Sequence, residues 1–171
     1  MLGSYKIIAI IPARSGSKEI PNKNIMNYKG APLMVHSILQ GLESKYIDEV
    51  ILSTDSELYR DIGVKFGANA PYLRPKNLSH DASTDYDFIL YHIKWLKEKG
   101  MGVPDLIVQL RPTYPTRKVS DIDKAIKMFV SNYNSIDSLR SVVKASISPY
   151  KMWKYKNKLL SPVINEGESY N

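Results

Sequence analysis

Three cations follow the first apolar run of the sequence, and their spacing suits a loop that binds phosphate groups. Arg14, Lys18 and Lys23 lie around the triplet Ser-Gly-Ser at residues 15–17, directly after the segment KIIAII. Gly16 would let the backbone turn so that main-chain N–H groups point inward, while the cations neutralise a polyphosphate. Because the patterns GxxxxGK[ST] and GxGxxG are both absent, the loop is neither a Walker A loop nor a dinucleotide-binding motif. The same residues also fit a solvated basic loop.

Other residues with metal or acid–base chemistry give a weaker signal. Asp55 follows the second predicted strand and is a candidate metal ligand. His92 has the spacing of a helix core face, which predicts a packed side chain. His36 lies in an amphipathic segment, and His80 is a loop residue with no evident partner. With no cysteine in the chain, disulfides, thiolate metal sites and cysteine catalysis are excluded.

These side chains must be positioned by an alternation of short apolar runs and longer amphipathic stretches. Continuous apolar runs are typical of strands buried on both faces of a parallel sheet, and apolar residues at helical spacing predict helices between them. The alternation predicts an α/β fold with a doubly wound, mostly parallel sheet. The predicted strands are Lys6–Ile11, Glu49–Ser53, Ala70–Leu73, Asp105–Leu110 and Ser138–Val143, and the predicted helices are Pro32–Ser44, Ser56–Phe66, Asp85–Lys99 and Ser120–Val130.

Two residue pairs have the spacing of a capping box and predict where two helices begin. Thr84 is followed three residues later by Asp87, and Ser120 by Asp123. In such a box the first side chain accepts a hydrogen bond from the backbone N–H of the second residue, and the second side chain accepts one in return.

The loops at the carboxyl ends of the strong strands are the expected location of a ligand. In doubly wound sheets, ligands bind outside these ends. Here the loops are residues 12–24, 54–56 and 111–118. The phosphate-binding interpretation of the first loop therefore agrees with its place in the predicted sheet.

Length and charge limit the class of protein. The chain has 171 residues, 24 Lys+Arg against 17 Asp+Glu, and a formal net charge of +7, which suits an anionic partner. The length predicts a single domain over residues 1–171. Its basic residues form no run of five, so we expect no nucleic-acid partner. No segment resembles a signal peptide or the ~18–20 apolar residues of a membrane span, so we expect no membrane contact and a cytoplasmic location.

Four short motifs resemble those of one enzyme family. The segment IPARSGSKEIPNKN at residues 11–24 closely resembles the N-terminal signature of the N-acylneuraminate cytidylyltransferases, the CMP-sialic acid synthetases. STD at 53–55, LRP at 73–75 and RPTYPTR at 111–117 match further motifs in the same order. The four matches cover essentially the whole chain. The resemblance implies a Rossmann-like nucleotidyltransferase fold, as in transferases that act on nucleotide-diphospho-sugars.

The resemblance also implies an activity and a set of site residues. The implied enzyme joins CTP to an acidic nine-carbon sugar and releases pyrophosphate, with Mg²⁺ as cofactor. Arg14 and Lys23 would be catalytic, stabilising charge on the α-phosphate and on the leaving pyrophosphate. Arg74 and the loop Asp81–Thr84 match the family's nucleotide-recognition segment. For Ser83 and Thr84, helix capping competes with nucleotide binding, and both roles can coexist. The positions that match the family's nucleotide-binding residues are Ala13, Arg14, Ser17, Lys18, Lys23, Asn24, Arg74, Ser83 and Thr84.

Arg111 departs from the family pattern, which often has Gln at this position. A guanidinium there could bind the sugar carboxylate, which makes Arg111 the predicted sugar-binding residue, or it could mark a different sugar. It could also fold back to pair with Asp55 or cap its own loop. At the position of Asp55 the family more often uses the side chain to support loop structure than to bind metal.

The end of the sequence limits what the resemblance implies. After Pro149 the chain is polar with no closing helix, so we expect a domain truncated at its C-terminus. The family's metal-binding aspartates would lie beyond Asn171, so the metal ligands are unknown and we expect the chain alone to be inactive. We expect a homodimer of the full-length form. Two alternatives stay open: a nucleotide-binding module without catalysis, and a nucleotidyltransferase for another sugar.

Overall fold

A three-stranded parallel sheet forms the centre of the computed structural model. The structure describes residues 5–146 and 148–164, except for the side chain of Pro149. The chain divides into two units after Asp137, and this division leaves the prediction of one domain over residues 1–171 open. Within the described residues, no helix is long and apolar enough to cross a membrane.

The first unit alternates strands and helices as the hydrophobic pattern predicts. Its sheet has the strand order β4-β1-β5, with both neighbours parallel to β1. A short antiparallel pair, β2 with β3, leads into the first helix. The elements are β1 (Ile7–Pro12), β2 (Asn27–Tyr28), β3 (Ala31–Pro32), α1 (Leu33–Glu43), β4 (Glu49–Ser53), α2 (Glu57–Lys65), α3 (Asp85–Glu98), β5 (Leu106–Gln109) and α4 (Val119–Ser131), with short 3₁₀ helices at Lys23–Ile25 and Lys76–Leu78.

Both faces of the sheet are covered by helices. Strand β1 is therefore buried, and it is apolar, at every position from Ile7 to Ile11. Its odd-numbered residues pack in the cluster that contains Met34 of α1 and Ile126 of α4. Its even-numbered residues pack in the cluster that contains Phe88 of α3. Helices on opposite faces of a parallel sheet make the fold doubly wound, so the predicted fold class is confirmed.

Three predictions about local structure are wrong. Residues 70–73 form no strand, since the only pairing in this part of the chain is an isolated bridge between Ile51 and Asn69. Ser120 and Asp123 form no capping box, because α4 begins earlier, after Lys118, and its first turn has no side-chain cap. The Asp123 carboxylate instead accepts a hydrogen bond of 2.7 Å from Ser44 Oγ at the end of α1.

The third wrong prediction is the strand over residues 138–143, which the structure shows as irregular chain. Val142 and Val143 are 85% and 93% exposed. A short segment with β-branched residues forms a strand only where another strand supplies a partner edge, and the local sequence does not contain that information. The Thr84–Asp87 capping box, by contrast, is confirmed at the start of α3.

The second unit contains an antiparallel pair of strands. The 3₁₀ helix Pro149–Lys151 precedes strands β6 (Trp153–Lys156) and β7 (Leu159–Pro162). The two residues between the strands, Asn157 and Lys158, have φ of 54° and 63°, as the tight turns of two-residue hairpins require. Several of the apolar side chains in this hairpin are exposed, including Trp153, Tyr155, Leu159 and Leu160.

Candidate nucleotide-binding site

An open cleft of about 600 Å³ lies at the carboxyl edge of the central sheet. Pro12 at the end of β1 and Arg111 after β5 both line it, so it lies at the edge where doubly wound sheets bind ligands. Its volume is within the range of ordinary small-molecule sites. The lining residues are Pro12, Arg14, Ser17, Lys18, Glu19, Lys23, Asn24, Arg74, His80, Asp81, Ser83, Asp85, Phe88, Arg111, Pro112 and Thr113.

The loop of residues 12–24 is held in place by polar side chains. The Asp55 carboxylate accepts hydrogen bonds from Ser15 N at 2.8 Å and Ser15 Oγ at 3.0 Å. Asn24, which is only 6% exposed, donates its amide N–H to the Arg14 carbonyl at 3.0 Å. The structure thus gives Asp55 the loop-supporting position that the resemblance implies. Arg14 is presented from a backbone fixed on two sides.

Gly16 differs from its expected role. Its φ is not in the left-handed region, and a Cβ added there would meet no atom within 4 Å. Neither the backbone angle nor the packing of this loop therefore requires glycine at position 16. The open space beside its Cα is available to whatever approaches the loop.

Two of the predicted phosphate-binding cations share one carboxylate. Arg14 Nη2 donates to Asp81 Oδ1 at 2.7 Å, and Lys18 Nζ pairs with Asp81 Oδ2. Hydrogen bonds from Lys18 and then from Arg14 are the main causes that lower the pKa of the Asp81 carboxyl. Asp81 therefore stays ionised at neutral pH and places a fixed negative charge beside the basic loop.

Arg74 is the most deeply buried cation of the cleft, at 5% exposure. Its Nη2 donates to the Ser53 carbonyl at 2.6 Å, and its guanidinium carbon lies 5.1 Å from the centroid of the Phe88 ring. Within the described residues, Arg74 Nε has no hydrogen-bond partner. Burial lowers the pKa of Arg74, while the nearby Asp55 carboxylate opposes that shift. An unpaired buried N–H carries a free-energy cost, which a hydrogen bond donated to a ligand acceptor would remove.

Arg111 pairs with Asp85 in the first turn of α3, so the expected alternative of a pair with Asp55 is wrong. The Arg111 side chain is 59% exposed. Its backbone is fixed more firmly, because its carbonyl oxygen accepts hydrogen bonds from Ser37 Oγ at 3.2 Å and from Arg117 Nη2 at 3.1 Å. The side chain can therefore exchange partners while the backbone stays in place.

A polar network anchors the loop after β5 to helix α1. Gln40, which is 8% exposed, donates to the carbonyl oxygens of Pro115 and Arg117 at 2.7 and 2.9 Å. Its own side-chain oxygen accepts a bond of 2.8 Å from Arg117 Nη1. Burial lowers the pKa of Arg117. The sequence analysis did not identify this network, although a glutamine on the buried face of an amphipathic helix was a possible signal for it.

The structure brings most of the predicted site residues to one cleft. Ala13 and Thr84 lie outside the lining. Ala13 is fully buried, and its N–H donates to the Ser53 carbonyl at 2.9 Å. Thr84 caps α3. The predicted residues that do line the cleft are Arg14, Ser17, Lys18, Lys23, Asn24, Arg74, Ser83 and Arg111.

Two residues of the cleft, Asp85 and Phe88, were not identified from the sequence. Asp81 and Asp85 pair with its cations, and Phe88 packs against Arg74. The signal for them was helical spacing, because Asp85 and Phe88 are three residues apart at the start of α3 and so lie on one face. The cleft has five cations, Arg14, Lys18, Lys23, Arg74 and Arg111, and three carboxylates, Glu19, Asp81 and Asp85.

The three histidines lie in different environments. His92 is 2% exposed, and its Nδ1 is 2.9 Å from the Tyr72 hydroxyl, so the prediction of a packed side chain is confirmed. Burial lowers the pKa of His92 and raises that of Tyr72. His36 Nε2 is 2.7 Å from the Tyr28 carbonyl oxygen. His80 lines the cleft.

Over residues 5–146 and 148–164, no three His, Asp or Glu side chains come together as a metal centre would require. In the cleft, Asp81 and Asp85 are both paired with cations. A divalent ion such as Mg²⁺ needs carboxylate or phosphate oxygens that are free to bind it. Asp81 and Asp85, as they are arranged here, do not fit that requirement, and Glu19 adds a single further carboxylate to the cleft.

Comparison with known proteins links this chain to one family. A family model described as "Cytidylyltransferase" matches residues 8–160. A pseudaminic acid cytidylyltransferase of Campylobacter jejuni is 37% identical over 127 residues, which are 74% of this chain and 54% of the relative. An N-acylneuraminate cytidylyltransferase of Escherichia coli is 35% identical over 143 residues, which are 84% of this chain and 32% of the relative. The chain thus spans about half the length of the C. jejuni relative, or less of longer ones.

A solved structure supports the fold independently of sequence similarity. CMP:2-keto-3-deoxy-manno-octonic acid synthetase, in complex with CTP, superposes with a TM-score of 0.62 at 20% identity. The match covers 75% of this chain and 48% of that one. At this level of identity the likeness concerns the fold, and it agrees with the doubly wound arrangement described above.

Proposed function

Since this chain belongs to the cytidylyltransferase family, we propose that the full-length protein is a nucleotidyltransferase that activates an acidic nine-carbon sugar with CTP. The products would be a CMP-sugar and pyrophosphate. The observation that carries this proposal is the convergence of five cations on one cleft at the carboxyl edge of the sheet. They come from the loops after β1 and β5 and from the segment between α2 and α3. A polyanion is the ligand that such a cleft favours.

Arg14 and Lys23 are the proposed catalytic residues. In the reaction a sugar hydroxyl attacks the α-phosphorus of CTP, the bond to the β-phosphate oxygen breaks, and pyrophosphate leaves with the electron pair. Negative charge builds up on the phosphate oxygens, where cations and N–H donors stabilise it. Arg14 can donate two parallel hydrogen bonds to a phosphate. The cleft is also lined by Ser17, Lys18 and Asn24.

The nucleoside is proposed to lie toward Arg74 and Phe88. Arg74 offers a buried donor, and Phe88 supports its guanidinium. Ser83 lines the cleft beside them. Ala13 and Thr84 lie outside the lining. We keep both as proposed nucleotide-binding residues because each is next in sequence to a residue that lines the cleft.

Arg111 is the proposed ligand of the sugar carboxylate. Its exposed guanidinium projects from the loop after β5, and its pair with Asp85 is at the surface. A ligand carboxylate can replace the Asp85 carboxylate at little cost, because exposed ion pairs contribute about 0–1 kcal/mol. The relatives named for pseudaminic and N-acylneuraminic acids act on sugars of this acidic class.

Magnesium is also part of the proposal, as the family resemblance implies. When bound, the ion would neutralise phosphate charge and polarise the reacting phosphoryl group. Because Asp81 and Asp85 are paired with cations, they do not fit as its ligands, and we derive no step through the ion. Calorimetric titration of CTP with and without MgCl₂ tests this part: equal affinity in both would argue against a metal–nucleotide complex as the bound form.

The whole proposal is tested by pyrophosphate release from the full-length protein. CTP and Mg²⁺ are supplied with pseudaminic, legionaminic or N-acylneuraminic acid, and with 2-keto-3-deoxy-octonic acid as the shorter acidic sugar. We expect release with CTP and at least one nine-carbon acid, and much less with ATP or UTP. CTP binding without release from any sugar would favour the nucleotide-binding module. Release only with the shorter acid would favour a transferase for another sugar.

Two further expectations belong to this proposal. We propose a homodimer for the full-length protein, because the β6–β7 hairpin exposes Trp153, Tyr155 and two leucines that a second copy could cover. Sedimentation equilibrium would give a single monomeric mass if this is wrong. We propose a cytoplasmic location, since that is where CTP is available to an enzyme, and cell fractionation checks it.

A further inference from the structure

One carboxylate pairs with two cations of the basic loop, residues 12–24. Asp81 accepts a hydrogen bond from Arg14 at 2.7 Å with one oxygen and pairs with Lys18 through the other. The three side chains come from two loops separated by more than 60 positions in sequence, so the contact joins one side of the cleft to the other. The proposed function assigns the same two cations to phosphate groups.

Asp81 is placed where it can leave these cations without disturbing the fold. Its side chain is 44% exposed, and it lies in the turn between the 3₁₀ helix Lys76–Leu78 and α3. The backbone of this turn is held by a bond of 3.1 Å from Ser83 N to the His80 carbonyl. The neighbouring α3 keeps its own cap, because Thr84 bonds with Asp87 and not with Asp81.

We propose that Asp81 is an internal anion that competes with phosphate groups for Arg14 and Lys18, and so weakens the hold of the cleft on CTP and pyrophosphate. This inference rests on the proposed function. A ligand phosphate must displace the Asp81 carboxylate, and the carboxylate returns to the two cations when the phosphate leaves. The residue would thus aid release of pyrophosphate, which would otherwise remain bound to the same cations.

The proposal distinguishes ligands by whether they need Arg14 and Lys18. CTP and pyrophosphate must displace Asp81, so the binding free energy of both ligands is reduced by the loss of the same two ion pairs. Cytidine carries no phosphate, so it binds without breaking these ion pairs. Because both ion pairs are exposed, the penalty is small, and we expect about a fivefold effect on the dissociation constant.

The test compares Asp81→Asn with Asp61→Asn in the full-length protein. Asp61 is a matched control, since it lies on α2, pairs with an exposed arginine at 3.0 Å, and is outside the cleft lining. Calorimetry with CTP, pyrophosphate and cytidine should show about fivefold tighter binding of the first two to the Asp81 variant. Cytidine binding should not change, and Asp61→Asn should match the wild type. Urea midpoints verify that both variants are folded.

A second comparison separates competition from simple charge repulsion. If Asp81 competes for Arg14 and Lys18, replacing Asp81 should have no effect when both cations are already alanine. A gain of the same size in that background would mean that Asp81 only repels the ligand, and would overturn the proposal. Equal or weaker binding of CTP and pyrophosphate to Asp81→Asn would overturn it as well, with the proposed function intact. Failure of the wild type and Asp81→Asn to bind either ligand would overturn the proposed function and this inference together.

Discussion

Replacing Arg14 with alanine should weaken CTP binding about fivefold to thirtyfold without unfolding the protein. A charge-assisted hydrogen bond to phosphate is worth about 1.5–3 kcal/mol. Arg14 must first give up its exposed pair with Asp81, at 2.7 Å, and that pair offsets up to about 1 kcal/mol of the gain. With both contributions near the middle of their ranges, the net loss on substitution is about 1–2 kcal/mol, which corresponds to the stated range in the dissociation constant.

The fold should tolerate this change because the structural contact at position 14 is made by the backbone. The Arg14 carbonyl accepts the hydrogen bond from Asn24, and alanine keeps that carbonyl. The side chain is 31% exposed and contributes one surface ion pair. We therefore expect the free energy of unfolding to fall by less than about 1 kcal/mol.

Arg60→Ala provides the matched control for the calorimetric titration. The Arg60 side chain is 35% exposed and pairs with an aspartate at 3.0 Å, so it resembles Arg14 in burial and partner. It lies on α2, outside the cleft. Equal CTP affinities for the Arg14 and Arg60 variants would refute the assignment of the basic loop to phosphate binding. Loss of the folded state in Arg14→Ala alone would refute the claim that its role is in ligand binding.

Three further substitutions test other parts of the molecule. Arg74→Lys keeps the charge but loses the planar donor to the Ser53 carbonyl. The free energy of unfolding, measured in urea, should therefore fall by about 1.5–3 kcal/mol, and CTP affinity should fall with it. An unchanged free energy of unfolding and an unchanged CTP affinity would contradict this. Arg111→Gln in the full-length enzyme should raise the sugar KM or lower kcat at least about tenfold, and a loss of CTP affinity instead would move Arg111 to the nucleotide site. The folded-state pKa of His92 lies below its ordinary value of 6.5 because of burial, so below pH 6.5 the unfolded state binds a proton that the folded state does not, and stability should decline as the pH falls. His92→Gln should flatten this decline between pH 7.5 and 5.5, measured by urea unfolding, and an identical pH profile would show that His92 is not its source.

The sheet and its helices could be predicted because their signals are local. Strand β1 is apolar at every position from Ile7 to Ile11, and only burial on both faces accommodates such a run. The Thr84–Asp87 box needs only two residues in one turn. The predicted strand over residues 138–143 failed because a strand also requires a partner edge elsewhere in the chain. Asp123 failed as a cap because Ser44 and Lys45, nearly 80 positions away, compete for its carboxylate.

The site shows the same difference between local signals, which could be predicted, and contacts between distant residues, which could not. The cations of the basic loop were predictable, because the loop directly follows a buried strand and its charges lie close together in sequence. Their carboxylate partners were not, because Asp81 lies 67 positions from Arg14 and Asp85 lies 26 from Arg111. Arg74 was identified through its motif, but its burial against Phe88 depends on the packing of α3.

The position of the cleft follows from the way the chain crosses the sheet. From β1 the chain passes through α1, on one face, to the neighbouring strand β4. It returns past β1 to β5 after α3, on the opposite face. Where consecutive crossovers lie on opposite faces, the loops at the carboxyl ends of the strands separate and leave a crevice. The cations after β1 and β5 converge there with Arg74, which lies between α2 and α3 and donates a hydrogen bond to the end of β4.

Charge then determines what this crevice can hold. Five cations face three carboxylates, and two of those carboxylates already pair with cations. The remaining positive charge attracts an anion, and the internal pairs keep the cleft partly neutral until a ligand arrives. Such a site binds weakly to singly charged anions and strongly to a ligand that reaches several cations at once, because each further contact adds to the first without a new loss of translational freedom. Increasing the salt concentration should therefore weaken CTP binding steeply and cytidine binding hardly at all, and an equal response of the two ligands would show that the cations do not contact the phosphates.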